Sequence, residues 1–177
     1  ERLENKIASI TDNLEQEKSI NKENVENISP NILVIYPIMK DITTLYSTVL
    51  LSKGFKDGVE ENSLVYLRGR QVVCIVREVY DKTSLCKLLS AGGEDLEGVT
   101  KDGITLFMKG DGGGTFVVDI PTEMNLVKGD IINLKSNPSF NLGTVTDIFH
   151  DEQSSSFRVY VKGAYNPVTS SMFYIDK

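Results

Sequence analysis

Lys53-Gly54-Phe55-Lys56-Asp57-Gly58-Val59 stands between two apolar runs, Thr48 to Leu51 and Leu64 to Leu67. Glycine adopts positive φ without steric cost, and aspartate bonds to its own local backbone. Gly54 and the Asp57-Gly58 pair are therefore turn chemistry. The flanking runs are rich in Val, Leu, Thr and Tyr, which suit a pleated, half-buried strand. The stretch is expected to connect two strands of a β-domain, with Gly58 in a conformation that disfavours side chains. Phe55 sits at a glycine-flanked tip with no easy route to a core.

Working outward, the same grammar repeats. Upstream, Ile32-Leu33-Val34-Ile35-Tyr36 reads as a short buried strand that turns at Pro37, and Leu45 to Leu51 as the next strand. Downstream, Arg68-Gly69-Arg70 turns into Gln71 to Val79, and Asp81-Lys82 turns into Leu85 to Leu89. Ala91-Gly92-Gly93-Glu94-Asp95 is a polar break and the expected internal boundary. Further strands are expected at Ile104 to Met108, Thr115 to Ile120, Ile131 to Leu134, Val145 to Phe149, Phe157 to Val161 and Met172 to Ile175. Gly129-Asp130 forms the turn before Ile131. Short strands at close spacing predict a mainly β architecture of barrels or sandwiches.

Residues 1–29 differ: they hold no Gly, no Pro and no aromatic residue. Leu3, Ile7, Ile10 and Leu14 are spaced to place one apolar seam along a helix. After Leu14 the register slips, with Glu17, Lys18 and Asn21 at seam positions before Val25 and Ile28 resume it. So narrow a stripe needs a partner; the expected one is a second copy in a coiled coil, and the other reading is a helix packed on its own β-domain or frayed in solution. Pro30 ends the segment by disfavouring helical backbone at Ser29. The expected organisation is a helix over 1–29, a first β-domain over 30–93 and a second over 94–177, with strand exchange between the two allowed.

The chain has 177 residues with 40% hydrophobic and 25% charged content, a globular composition. A net charge of −6 argues against nucleic acid as a partner. No run is long enough to cross a bilayer. The sequence opens on Glu1 inside a helical pattern, so it reads as a fragment, with any N-terminal membrane anchor outside it.

Little here points to catalysis. A phosphate loop at Gly110-Asp111-Gly112-Gly113-Gly114 would need a following Lys and a helix N-terminus; a strand pattern follows, so a hairpin loop is expected. His150 is the only histidine, which rules out a His-rich metal site. It has Asp147 and Asp151 nearby, but no nucleophile elbow accompanies it. Glu60-Glu61 and Asp151-Glu152 read as solvated loop charges. Cys74, amid Val and Ile, reads as a small buried hydrophobe. A disulfide to Cys86 in the next strand is the other reading, and neighbouring strands alone do not set the register it needs. No cofactor is expected.

Beyond these readings, Lys53-Gly54-Phe55-Lys56-Asp57-Gly58-Val59 with the strand after it resembles the KG-x-x-DGV signature of the MreC family, the bacterial rod-shape-determining proteins. Gly69 to Val79 resembles that family's next block, with Cys74 near its expected second glycine. Val127-Lys128-Gly129-Asp130-Ile131-Ile132 resembles its V-x-x-GD-x-V segment. Lys135-Ser136-Asn137-Pro138 then departs from its usual Thr-Ser-Gly. Leu142-Gly143-Thr144-Val145 resembles its late G-x-V strand. The motifs follow in the family's order across the chain.

The resemblance implies one transmembrane anchor, a coiled coil and two small β-barrel-like domains on the extracytoplasmic face of the inner membrane. It further implies a non-enzymatic scaffold of the cell-elongation complex that self-associates and binds the elongation-type penicillin-binding transpeptidase and other membrane proteins of that complex. Self-association is then assigned to Leu3, Ile7, Ile10 and Leu14. Aromatic residues anchor interfaces at low entropic cost, so Phe55, Tyr36, Tyr46 and Tyr66 are the candidate partner-binding residues, Phe55 first. A periplasmic adaptor of a transport system is the alternative. It would need a helical hairpin and paired lipoyl-like halves, where this sequence offers one helix.

Overall fold

The computed structural model describes residues 31–39, 47–150, 155–166 and 169–177. The seam residues Leu3, Ile7, Ile10 and Leu14, and Tyr46, lie outside these. Among the described residues the chain is built from strands, with one short 3-10 turn at Phe55–Asp57. The strands in order are β1 (Ile32–Ile35), β2 (Pro37–Met39), β3 (Thr48–Leu51), β4 (Leu64–Leu67), β5 (Gln71–Val79), β6 (Ser84–Leu88) and β7 (Asp95–Val99). They continue with β8 (Thr105–Gly112), β9 (Thr115–Pro121), β10 (Ile131–Leu134), β11 (Asn141–His150), β12 (Ser156–Lys162) and β13 (Phe173–Asp176).

Pairing closes the sheet on itself. In one part the order β11-β10-β7-β8-β9-β12 returns to β11, a closed barrel of six strands. In the other, β1 pairs with β13, then β4, β5, β6 and β3 follow, and β3 pairs with β2. Only Tyr36 separates β1 from β2, so this second path also runs round to its start. The last strand, β13, thus lies among strands from the first half of the chain, between β1 and β4. Closure leaves few unpaired edges to template aggregation. A parallel bridge at Asn141 and Gln71 joins β11 to β5, linking the two paths.

Two apolar clusters fill the structure, one within the path that begins at β1 and one within the six-stranded barrel, which also takes Tyr66, Val72 and Tyr174 from that path. Ile35, Leu51, Val65, Val76, Leu88 and Phe173 are among the side chains inside the first. Leu106, Phe116, Ile132, Leu142, Val145 and Val161 are among those inside the second. Burying a side chain of this size contributes about 1.5–3 kcal/mol, so the clusters carry most of the favourable packing.

Three sequence expectations are corrected by this topology. Pro37 opens β2 instead of only turning the chain, and it does so beside a register shift, where a missing N–H is tolerated. Asp95 to Val99 is a strand, β7, although its Asp, Glu and Gly are poor strand formers. The expected strand near Val145 begins earlier, at Asn141. The polar break before β7 is fastened down. Gly93 N–H donates to Gly110 O at 3.2 Å, and Gly110 N–H to Glu94 O at 2.8 Å. The glycine-dense segment is a hairpin between β8 and β9.

Candidate interaction surface

The loop between β3 and β4 is held through most of its backbone N–H groups, in an unbroken run from Gly54 to Val59. Phe55 N–H donates to Tyr80 O at 2.9 Å and Lys56 N–H to Asp81 O at 3.0 Å, so the loop docks on the β5–β6 turn. Gly54 lies against the backbone of Tyr80 and Thr83 with no room for a side chain. The Asp57 carboxylate accepts from Gly54 N–H at 3.2 Å and from Lys53 Nζ at 2.9 Å. Those two bonds, the Lys53 one larger, hold its carboxyl below the usual carboxylate range. Gly58 takes φ +88°, in the left-handed region, and ends the short turn. Val59 then enters the first apolar cluster and is buried. Lys56 Nζ bonds Asp81 at 2.7 Å, tying loop to turn a third time.

The outcome is an aromatic ring shown to solvent on a braced support. Phe55 is 75% exposed. Tyr80, 48% exposed, stands on the turn that carries the loop, its hydroxyl donating to Glu78. That bond to a carboxylate raises the phenol above its ordinary range. Phe55, Val79, Tyr80, Glu60, Glu61 and Asp81 line an open groove of about 600 Å³. Tyr80 was absent from the sequence candidates. The signal was there: an aromatic residue directly before the Asp81-Lys82 turn, in the same setting as Phe55 before its own.

The other candidates fall elsewhere. Tyr36 is 44% exposed, with its backbone bound to Ser52, and it lies outside the groove lining. Tyr66 is corrected from partner-binding residue to core residue, at 4% exposure. Successive strand residues face opposite sides, and β4 has an apolar cluster on each: Val65 enters the first and Tyr66 the second. The Tyr66 ring meets Phe140 edge-on at 5.2 Å and stacks on Tyr174 at 5.9 Å. Its hydroxyl donates to Asp176 at 2.5 Å. Burial first, then that carboxylate, push its pKa far above the ordinary phenol value. Arg70 completes this joint, with its guanidinium 4.2 Å from the Phe140 ring and 3.0 Å from Asp176.

At the remaining turn, Gly129 takes φ +95° and the Asp130 carboxylate accepts from Val127 N–H at 2.9 Å. Cys74 and Cys86 form a disulfide, both fully buried in the first cluster. His150 is exposed at the end of β11, its ring 5.0 Å from Phe157. Asp147 is engaged by Lys128 at 2.9 Å. Among the described residues no group of three or more His, Cys, Asp and Glu side chains converges in a way that would hold a metal ion.

The family model for the barrel core of the rod shape-determining protein MreC matches residues 38–175. Among solved structures, one described as MreC superposes with a TM-score of 0.75 at 17% identity, covering 96% of this chain and 99% of that one. The major periplasmic domain from the cell shape-determining filament MreC gives a TM-score of 0.57 at 17% identity, over 81% of this chain and 93% of that one. A complex between the penicillin-binding protein PBP2 and MreC from Helicobacter pylori contains a chain matched with a TM-score of 0.55 at 16% identity, over 82% and 96%. At these identities the likeness shows the fold. No curated protein matches this chain.

Proposed function

The chain belongs to the MreC family of rod shape-determining proteins, and on that premise we propose that it is a non-enzymatic scaffold of cell elongation that binds a penicillin-binding transpeptidase. The observation that carries the reading is the braced display of Phe55. An exposed aromatic ring on a free surface costs solvation, and a loop bonded into place presents it with little further entropy to lose on binding. The Helicobacter pylori complex of PBP2 with MreC supports the choice of partner.

We place this body on the extracytoplasmic face, anchored through a segment outside the sequence. The likeness to the periplasmic domain of MreC supports this, as does a disulfide, which persists in oxidising compartments. We assign the first unit to 30–93 and the second to 94–177, with β13 exchanged back into the first, as the two apolar clusters suggest. Self-association is assigned to the seam Leu3, Ile7, Ile10 and Leu14.

The test is binding to the extracytoplasmic part of the elongation-type transpeptidase of the same organism, by interferometry over a micromolar range. Saturable binding that weakens about tenfold or more with Phe55→Ala is expected, the loss typical of a buried aromatic anchor. Binding indifferent to Phe55→Ala would remove the loop from the interface. No binding at high micromolar concentration would remove the transpeptidase as its partner.

A further inference from the structure

We propose that the groove beside Phe55 selects a partner segment that is apolar at its centre and basic at its flanks. This rests on the reading of the loop as a partner surface, and adds the chemistry of what the surface takes.

Two features of one groove carry it. The wall is apolar, from Phe55, Val79 and Tyr80, so the affinity of an occupant comes from an apolar side chain laid against these. The rim is acidic, from Glu60, Glu61 and Asp81. Lys56 answers Asp81 at 2.7 Å, but among the described residues no basic side chain pairs with Glu60 or Glu61. A further carboxylate, Glu78, is turned to the Tyr80 hydroxyl. A basic flank would meet two exposed carboxylates, while an acidic one would meet like charge at the same place. Exposed pairs add only about 0.2–1 kcal/mol each. The rim therefore acts on encounter rate and on rejection of acidic segments, and the aromatic wall acts on residence.

The test uses the full chain and two synthetic peptides with the same Leu-Phe centre, one flanked by Lys and Arg, the other by Glu. Backbone amide resonances are followed by NMR through each titration. The basic peptide is expected to move Phe55, Glu60, Glu61 and Tyr80, and the acidic one to leave them in place. Glu60→Gln with Glu61→Gln should weaken the basic peptide about threefold or more, as should raising salt from about 50 to about 500 mM. Phe55→Ala should remove its binding. Equal response to both peptides, shifts centred elsewhere, or no shift at millimolar peptide would overturn the proposal. The transpeptidase separates this from the reading beneath it. Binding lost with Phe55→Ala but unmoved by the Glu60→Gln, Glu61→Gln pair keeps the interface and removes the charge selection. A peptide response as expected, without transpeptidase binding, keeps the groove chemistry and removes that partner.

Discussion

Gly54 stands so close to Tyr80 that a Cβ on it would lie 2.2 Å from the Tyr80 carbonyl oxygen. The opposing atom is backbone, bonded in turn by Phe55 N–H, and it cannot yield without undoing the loop. Gly54→Ala is expected to destabilise by about 2–3 kcal/mol, in the range of overpacked sites. Gly58 faces open space, so its constraint is φ alone, and Gly58→Ala should cost about 1–2 kcal/mol. Urea unfolding of both variants checks this; a Gly54→Ala protein as stable as the parent would contradict the close approach.

Phe55 and Tyr66 should separate cleanly by stability. Phe55→Ala removes an exposed ring and should stay within about 0.5 kcal/mol of the parent. Tyr66→Phe leaves Asp176 with Arg70 alone and should cost about 1 kcal/mol, the worth of one hydrogen bond to a charged group less its desolvation. Chemical denaturation measures both. The reverse order would mean that the two aromatics have been assigned to the wrong places.

Cys74 pairs across β5 and β6 with Leu88, and Cys86 with Val76, so the disulfide runs diagonally between the two strands. Cys74→Ser with Cys86→Ser should lower stability by about 2–3 kcal/mol, given a sequence separation of 12. Both residues are fully buried, so a thiol reductant should act only when the barrel opens. Alkylation followed by mass spectrometry reads the rate. Fast reduction of the native protein would contradict the burial.

Acid should loosen the Phe55 loop. Asp57 titrates below its ordinary value near 3.8, so the folded state favours the ionised form. Its contribution is present above about pH 3.8 and is lost as pH falls through the lower folded value. Asp119, bonded by Arg158, and Asp147, bonded by Lys128, are shifted the same way and add to the same acid transition. Asp57→Asn should reduce the loss of stability between neutral pH and pH 3 measured by thermal unfolding. An unchanged pH dependence would show that Asp57 carries none of it.

The N-terminal seam has its own test. For the proposed coiled coil, Ile7→Asp with Ile10→Asp would place unpaired charge in the seam, so a dimer should become a monomer by sedimentation. A parent that is already monomeric, or a variant of unchanged mass, would remove the seam from self-association.

The strand grammar was open to direct reading because it is local. Most of the strands, the glycine-marked turns and the exposure of Phe55 follow from residue types within a few positions of one another. Strand β7 was hidden because its inward positions are Leu96 and Gly98, and the glycine is there to make room for Ile132 and Met108, which come from other strands. The groove was hidden because Tyr80 is brought beside Phe55 by bonds between loops far apart in the chain.

By itself, the sequence determined a β-rich body, the turn chemistry at Gly54, Asp57, Gly58, Gly129 and Asp130, and the family whose motifs it carries. Tertiary structure alone decided that Tyr66 is core, that Cys74 and Cys86 meet, and that β13 returns to β1 and β4. The physical reason is that alternation along a strand tells which residues share a face, but not what lies against that face. In β4 both faces meet apolar clusters, so a pattern that elsewhere separates inside from outside separates one core from another.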